Sequence, residues 1–63
     1  MTVGERIKYY RERKGLSQEQ LAELIGVTQE NVSYMENDKV GITVEKLKRI
    51  CDALDVTIAD IVE

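Results

Sequence analysis

The chain has no histidine, no proline and a single cysteine in 63 residues. Each absence closes a class of function. Without histidine there is no imidazole for general acid–base work, and no Ser–His or Cys–His pair for nucleophilic catalysis. One cysteine cannot close an internal disulfide. One cysteine and no histidine also leave four-coordinate zinc without a ligand set. The four glycines are scattered, so no glycine-rich loop is available to cradle a phosphate. No segment approaches the ~20 apolar residues of a membrane span, and the N-terminus lacks the apolar core of a signal peptide. The lone Cys51 fits a reducing cytoplasm. A chain this short has little room for a substrate pocket of several hundred Å3. No enzyme, cofactor or metal is expected, and the length fits one domain spanning residues 1–63.

The net charge is −3, which at first speaks against nucleic acid. The distribution is uneven. Residues 52–63 hold four acids (Asp52, Asp55, Asp60, Glu63) and no base, so residues 1–51 hold nine bases against eight acids. Such a split suits a domain with one face toward phosphate and another turned away. It equally suits a plain solvated acidic tail.

The apolar residues fall on helical spacing in five blocks. The first runs from about Thr2 to Lys14, with Val3, Ile7 and Tyr10 in one stripe. Thr2 and Glu5 have capping-box spacing, and Gly15 sits where a helix terminates. The second is Gln18–Ile25, capped by Ser17 and ended by Gly26, with Leu21, Leu24 and Ile25 as its stripe and Ala22 beside it. The third is Gln29 to about Asn37, capped by Thr28. Only Val32 and Met35 are apolar there, so most of it should face solvent. The fourth, Val44–Leu54, follows Thr43 and carries Val44, Leu47, Ile50, Cys51 and Leu54. The fifth, Ile58–Val62, follows Thr57, with Asp60 at capping-box spacing. No run alternates with period two, so the predicted class is all-α: a compact bundle of five short helices.

Residues Gln18 to Met35, QEQLAELIGVTQENVSYM, carry the functional pattern. Gly26, Val27 and the cap Thr28 form a very short turn between two short helices, which is the helix-turn-helix signature. Leu21, Ile25, Val27, Val32 and Met35 can converge on one side. Ala22 is small where the second helix crosses, and Gly26 can take a positive φ.

At this point the chain resembles the phage-repressor/Cro-like (Xre) helix-turn-helix family over nearly its whole length. The residues that carry the resemblance are Arg6-Ile7, Arg11, Gly15-Leu16-Ser17-Gln18, Leu21-Ala22, Gly26-Val27-Thr28 and Val32 through Glu36. They continue with Thr43, Leu47, Ile50, Ala53-Leu54, Val56 and Ile61. The resemblance implies a five-helix lambda-repressor-like fold with the third helix in the DNA major groove. Two positions depart from the family pattern. Asp38 stands where glycine is usual, and Ile42 where proline often precedes the fourth helix. Asp38 would repel phosphate if it faced DNA.

Base edges are read by side chains on the exposed N-terminal half of a recognition helix. The candidates are Gln29, Glu30, Ser33 and Tyr34. Glutamine can bond adenine, glutamate can accept from cytosine N4, and tyrosine can meet a thymine methyl or a phosphate. Gln18 opens the second helix, where free N–H groups favour an anion; the resemblance also assigns it to the DNA backbone. Thr28, Asn37 and Lys39 are further backbone candidates. Arg13, Lys14, Lys46 and Lys48 read as ordinary solvated charges before they read as phosphate contacts, and Tyr9 as a DNA neighbour or a surface cover. The resemblance implies that Arg11 and Glu36 form a structural ion pair. Cys51 and Met35 read as core. A double-stranded, palindromic operator bound by a homodimer is the expected partner, with Ile58, Ile61 and Val62 as the dimer surface unless they only close the core. The function expected is repression of transcription. The alternative is a protein-binding module on the same fold: an antitoxin, an antirepressor or an adaptor with a regulatory protein partner.

Overall fold

The computed structural model describes residues 1–63. Its five helices are α1 (Val3–Arg13), α2 (Gln18–Ile25), α3 (Gln29–Glu36), α4 (Val44–Leu54) and α5 (Ile58–Val62). All five begin at a threonine or serine in extended conformation whose hydroxyl accepts from the third helical N–H. The hydroxyl oxygen fills one of the orphan donors that every helix start exposes. Capping boxes close on Thr2–Glu5, Ser17–Gln20 and Thr57–Asp60.

The ends of α1 to α4 also share one geometry. After α1, Gly15 N–H donates to Glu12 O and Leu16 N–H to Arg11 O. After α3, Asp38 and Lys39 donate to Met35 O and Tyr34 O; after α4, Asp55 and Val56 donate to Asp52 O and Cys51 O. This is the Schellman pattern, which needs one left-handed residue. Glycine supplies it at Gly15 and Gly26, and aspartate at Asp38 (φ 57°) and Asp55 (φ 56°). Aspartate is one of the few non-glycine residues that visits this region routinely.

The core is Ile7 from α1, Leu21, Ala22 and Ile25 from α2, Val32 and Met35 from α3, Ile50, Cys51 and Leu54 from α4, and Ile61 from α5. α2 and α3 share the most extensive contact, α1 lies across α3, and α4 backs α2. Burying each large aliphatic side chain contributes about 1.5–3 kcal/mol. Burial also pushes the Cys51 thiol pKa up, with Asp52 and Asp60 adding to the shift.

Three sequence expectations are corrected. Leu24 is 62 % exposed. On a 3.6-residue turn it lies about 110° from the centre of the Leu21–Ala22–Ile25 face. Val44, at the first position of α4, is 66 % exposed, on the flank of the buried Ile50–Cys51–Leu54 face. Ile61 is wholly buried, because it is the α5 residue turned onto α1 and α4; it cannot form a dimer surface. Ile58 and Val62 remain exposed.

Gly4 was not singled out by the sequence. A Cβ there would lie 2.4 Å from Met35 O, 2.6 Å from Glu36 O and 2.7 Å from an Asp38 carboxylate oxygen. Only glycine lets α1 cross the end of α3 this closely. Asp38 completes the junction. Its Oδ1 accepts from Gly4 N–H at 2.9 Å and its Oδ2 from the Thr2 hydroxyl. A carboxylate at a helix N-terminus also meets the positive end of the helix dipole. Asp38 is thus engaged with α1, which gives a physical reason for an acid where the family usually has glycine.

Candidate nucleic-acid interface

α3 is short and two-sided. Val32 and Met35 anchor it in the core, and Glu36 is buried beside them. Gln29, Glu30 and Tyr34 lie on the exposed face, with Ser33 half-buried between them. The four residues predicted to read bases therefore occupy the outer surface of one helix. Tyr34 is 41 % exposed. Asn31 is half-buried, and its carbonyl oxygen is buried without a partner.

The backbone candidates frame this surface. Thr28 is exposed; its hydroxyl oxygen accepts from Asn31 N–H at 3.1 Å, which leaves the O–H to donate. Asn37 follows the last turn of α3, and its amide donates to Ser33 O at 2.8 Å. Lys39, just beyond, is exposed. Gln18 stands at the first position of α2. Its backbone N–H precedes the first intrahelical bond, which Leu21 N–H makes to Ser17 O. Its side chain is half-buried and donates to Glu36 Oε1 at 3.0 Å, a link absent from the sequence reading.

Arg11 and Glu36 pair as expected. Arg11 Nε lies 2.6 Å from Glu36 Oε2, and its Nη2 donates to Oε1 at 3.1 Å. The two side chains are 9 % and 2 % exposed. The third guanidinium nitrogen donates to Leu16 O at 2.8 Å, which fixes the loop entering α2. The hydrogen bond to Glu36 raises the Arg11 pKa further above its already high range, against the opposing effect of burial. The four other cations weighed as phosphate contacts differ in their surroundings. Lys14 pairs with Asp55, Arg13 covers the Tyr9 ring and donates to its hydroxyl at 3.1 Å, and Lys48 is exposed while Lys46 is half-buried. Tyr9 also meets Tyr10 edge-to-face at 5.1 Å. It is thus tied into an α1 surface cluster.

Comparison with known proteins bears on the family and the fold. The model of the Helix-turn-helix family (HTH_3) matches residues 7–61. The immunity repressor protein of Bacillus phage phi105 is 34 % identical over 62 residues, covering 98 % of this chain and 43 % of that protein. The transcriptional regulator SinR of Bacillus subtilis is 37 % identical over 57 residues, covering 89 % of this chain and 51 % of SinR. The chain spans about a third to a half of the length of the curated relatives it matches. A crystal structure of SinR in complex with DNA superposes with a TM-score of 0.84 at 36 % identity, covering 92 % of this chain and 94 % of that one. The P22 c2 repressor, crystallised with a synthetic operator, superposes with a TM-score of 0.93 at 24 % identity, covering 100 % of this chain and 96 % of that one, a likeness of fold. No helix is long and apolar enough to cross a membrane. The chain belongs to the Xre/Cro-like Helix-turn-helix family, whose matched relatives are phage repressors and transcriptional regulators.

Proposed function

We propose that residues 1–63 act as one sequence-specific DNA-binding domain of a cytoplasmic transcriptional repressor, with α3 in the major groove of a palindromic operator. The observation that carries this reading is the two-sided character of α3. Val32 and Met35 lock it to α2, while Gln29, Glu30, Ser33 and Tyr34 line its outer face. Those four residues read base edges. Gln18, Thr28, Asn37 and Lys39 contact the phosphates on either side and set the register. The likeness to SinR in a DNA complex supports the assignment.

The operator is bound by a homodimer, since two half-sites one helical turn apart multiply the modest affinity of a single module. With Ile61 in the core, the dimer surface is left to Ile58 and Val62. Val62 borders a shallow apolar groove that also includes Val3, Val40 and Ile42. Sedimentation equilibrium with and without operator tests this point; a monomer under both conditions removes the dimer.

A second reading is a protein-binding module. It is favoured by the exposed Leu24, which shares a depression with Leu16, Gln20 and Glu23, and by the likeness to SinR in a SinR/SinI protein complex. Selection from a randomised duplex library at two salt concentrations separates the readings. The expected outcome is a palindromic motif. Gln29→Ala should relax one base position by about 1–3 kcal/mol, while Gln18→Ala should weaken all sequences alike. No enriched motif would move the assignment to the protein-binding module.

A further inference from the structure

We infer that Glu36 is a positioning residue for DNA binding: it holds the Gln18 side-chain amide at the mouth of α2, ready for a backbone phosphate. The inference rests on the DNA-binding reading above and adds a role to a residue that otherwise serves as half of a structural ion pair.

The Arg11–Glu36 pair is complete without Gln18, since both carboxylate oxygens already accept from the guanidinium. Gln18 adds a third, independent bond, from Nε2 to Oε1 at 3.0 Å. An amide nitrogen carries two donors. One is spent on Glu36, and the second, with the amide oxygen, remains to be used. The bond reaches from the start of α2 to the end of α3, so the phosphate-binding corner and the base-reading helix share one fixed point. Arg11 makes this arrangement compatible with DNA. A bare carboxylate one hydrogen bond behind a phosphate-facing amide would repel the backbone. The guanidinium cancels that charge, leaving Glu36 as a neutralised but strong acceptor. Arg11 also donates to Leu16 O, so the same pair steadies the backbone that presents Gln18.

The consequence is pre-organisation. A free glutamine loses rotamer freedom when it binds a phosphate, whereas Gln18 has already lost it on folding. The contribution of Gln18 to affinity should therefore depend on Glu36.

The test is a double-mutant cycle on a random-sequence DNA duplex, because phosphate contacts are independent of sequence. Affinity is measured well below the melting temperature of every variant. In the wild-type background Gln18→Ala should weaken binding about tenfold. In a Glu36→Leu background, which leaves no acceptor at that position, the same change should weaken it less than about threefold. The cycle cancels the positive charge unmasked on Arg11, which is the same in that background whether position 18 holds Gln or Ala. Equal losses in the two backgrounds would overturn the positioning role while leaving Gln18 as a phosphate contact. No loss in the wild-type background would overturn the phosphate assignment of Gln18, and the inference with it. A second measurement needs no variant: 15N relaxation of the side-chain amides in the free wild-type protein. Gln18 should be ordered like the backbone, while the exposed Gln29 is mobile. A Gln18 amide as mobile as that of Gln29 would refute the inference.

Discussion

Gly4→Ala sets helix propensity against tertiary fit, and the two predict opposite signs. Alanine is favoured over glycine within a helix by about 1 kcal/mol, so the α1 sequence alone predicts a gain. The structure predicts a loss. The new methyl would lie 2.4 Å and 2.6 Å from the backbone carbonyl oxygens of Met35 and Glu36. Neither oxygen can swing away as the end of a long side chain would. Ordinary contact requires α1 to retreat by about 1 Å. That retreat stretches the 2.9 Å bond from Gly4 N–H to Asp38 and loosens the Ile7 contacts behind it. Overpacking of this kind costs about 1–3 kcal/mol, and an impaired helix-start hydrogen bond about 1 kcal/mol more. After the propensity gain, the net loss is about 1–3 kcal/mol. In a domain this small each kcal/mol moves the melting temperature by about 4–8 °C, so Tm should fall by roughly 5–25 °C. Circular dichroism during thermal and urea unfolding measures it. Gly41→Ala is the control, since a Cβ there meets nothing within 4 Å. A Gly4→Ala protein as stable as wild type, or more so, would refute the close crossing of α1 and α3.

Other substitutions address the remaining junctions. Asp55→Ala should be about 1 kcal/mol less stable than Asp55→Gly, because both lose the exposed Lys14 pair but only alanine is strained at φ 56°; urea midpoints in the reverse order would contradict the left-handed cap. Ile61→Ala should cost about 2–5 kcal/mol as a core truncation, and Val62→Ala under about 1 kcal/mol, as a half-exposed residue; similar urea-unfolding losses would contradict the burial assigned to α5. Cys51 is a pH probe. Its folded pKa lies above its unfolded value, so its contribution is complete below the ordinary thiol range near ~8.5 and declines as pH rises through the folded value. Stability of wild type should therefore fall more steeply in alkali than that of Cys51→Ala, and parallel pH profiles would count against the burial effect.

The local features of this fold were legible because they depend on near neighbours. Thr2, Ser17, Thr28, Thr43 and Thr57 announce five helix starts. Gly15 and Gly26 announce two ends, and the compressed Gly26-Val27-Thr28 turn announces the helix-turn-helix. The exposed face of α3 follows from its two apolar residues, so the candidate base readers could be named from sequence. Leu24 and Ile61 mark the limit. Helical periodicity places an apolar residue on or near a stripe, but it does not say how wide a face the neighbouring helices cover. α2 is covered over Leu21, Ala22 and Ile25, leaving Leu24 outside. In α5, Ile61 is covered and Val62 is not.

What the sequence determined by itself is the helix boundaries, the turn and the chemistry available to the domain, since these rest on interactions spanning a few residues. What only the tertiary structure decided involves residues far apart in the chain. Gly4 matters because α1 crosses the end of α3. Asp38 caps α1 across 34 residues of chain, and Gln18 meets Glu36 across 18. Such contacts carry no local period or cap signature. They exist because closing the core lays α1 along the end of α3 and brings the start of α2 beside it, where backbone donors and a buried carboxylate must find partners.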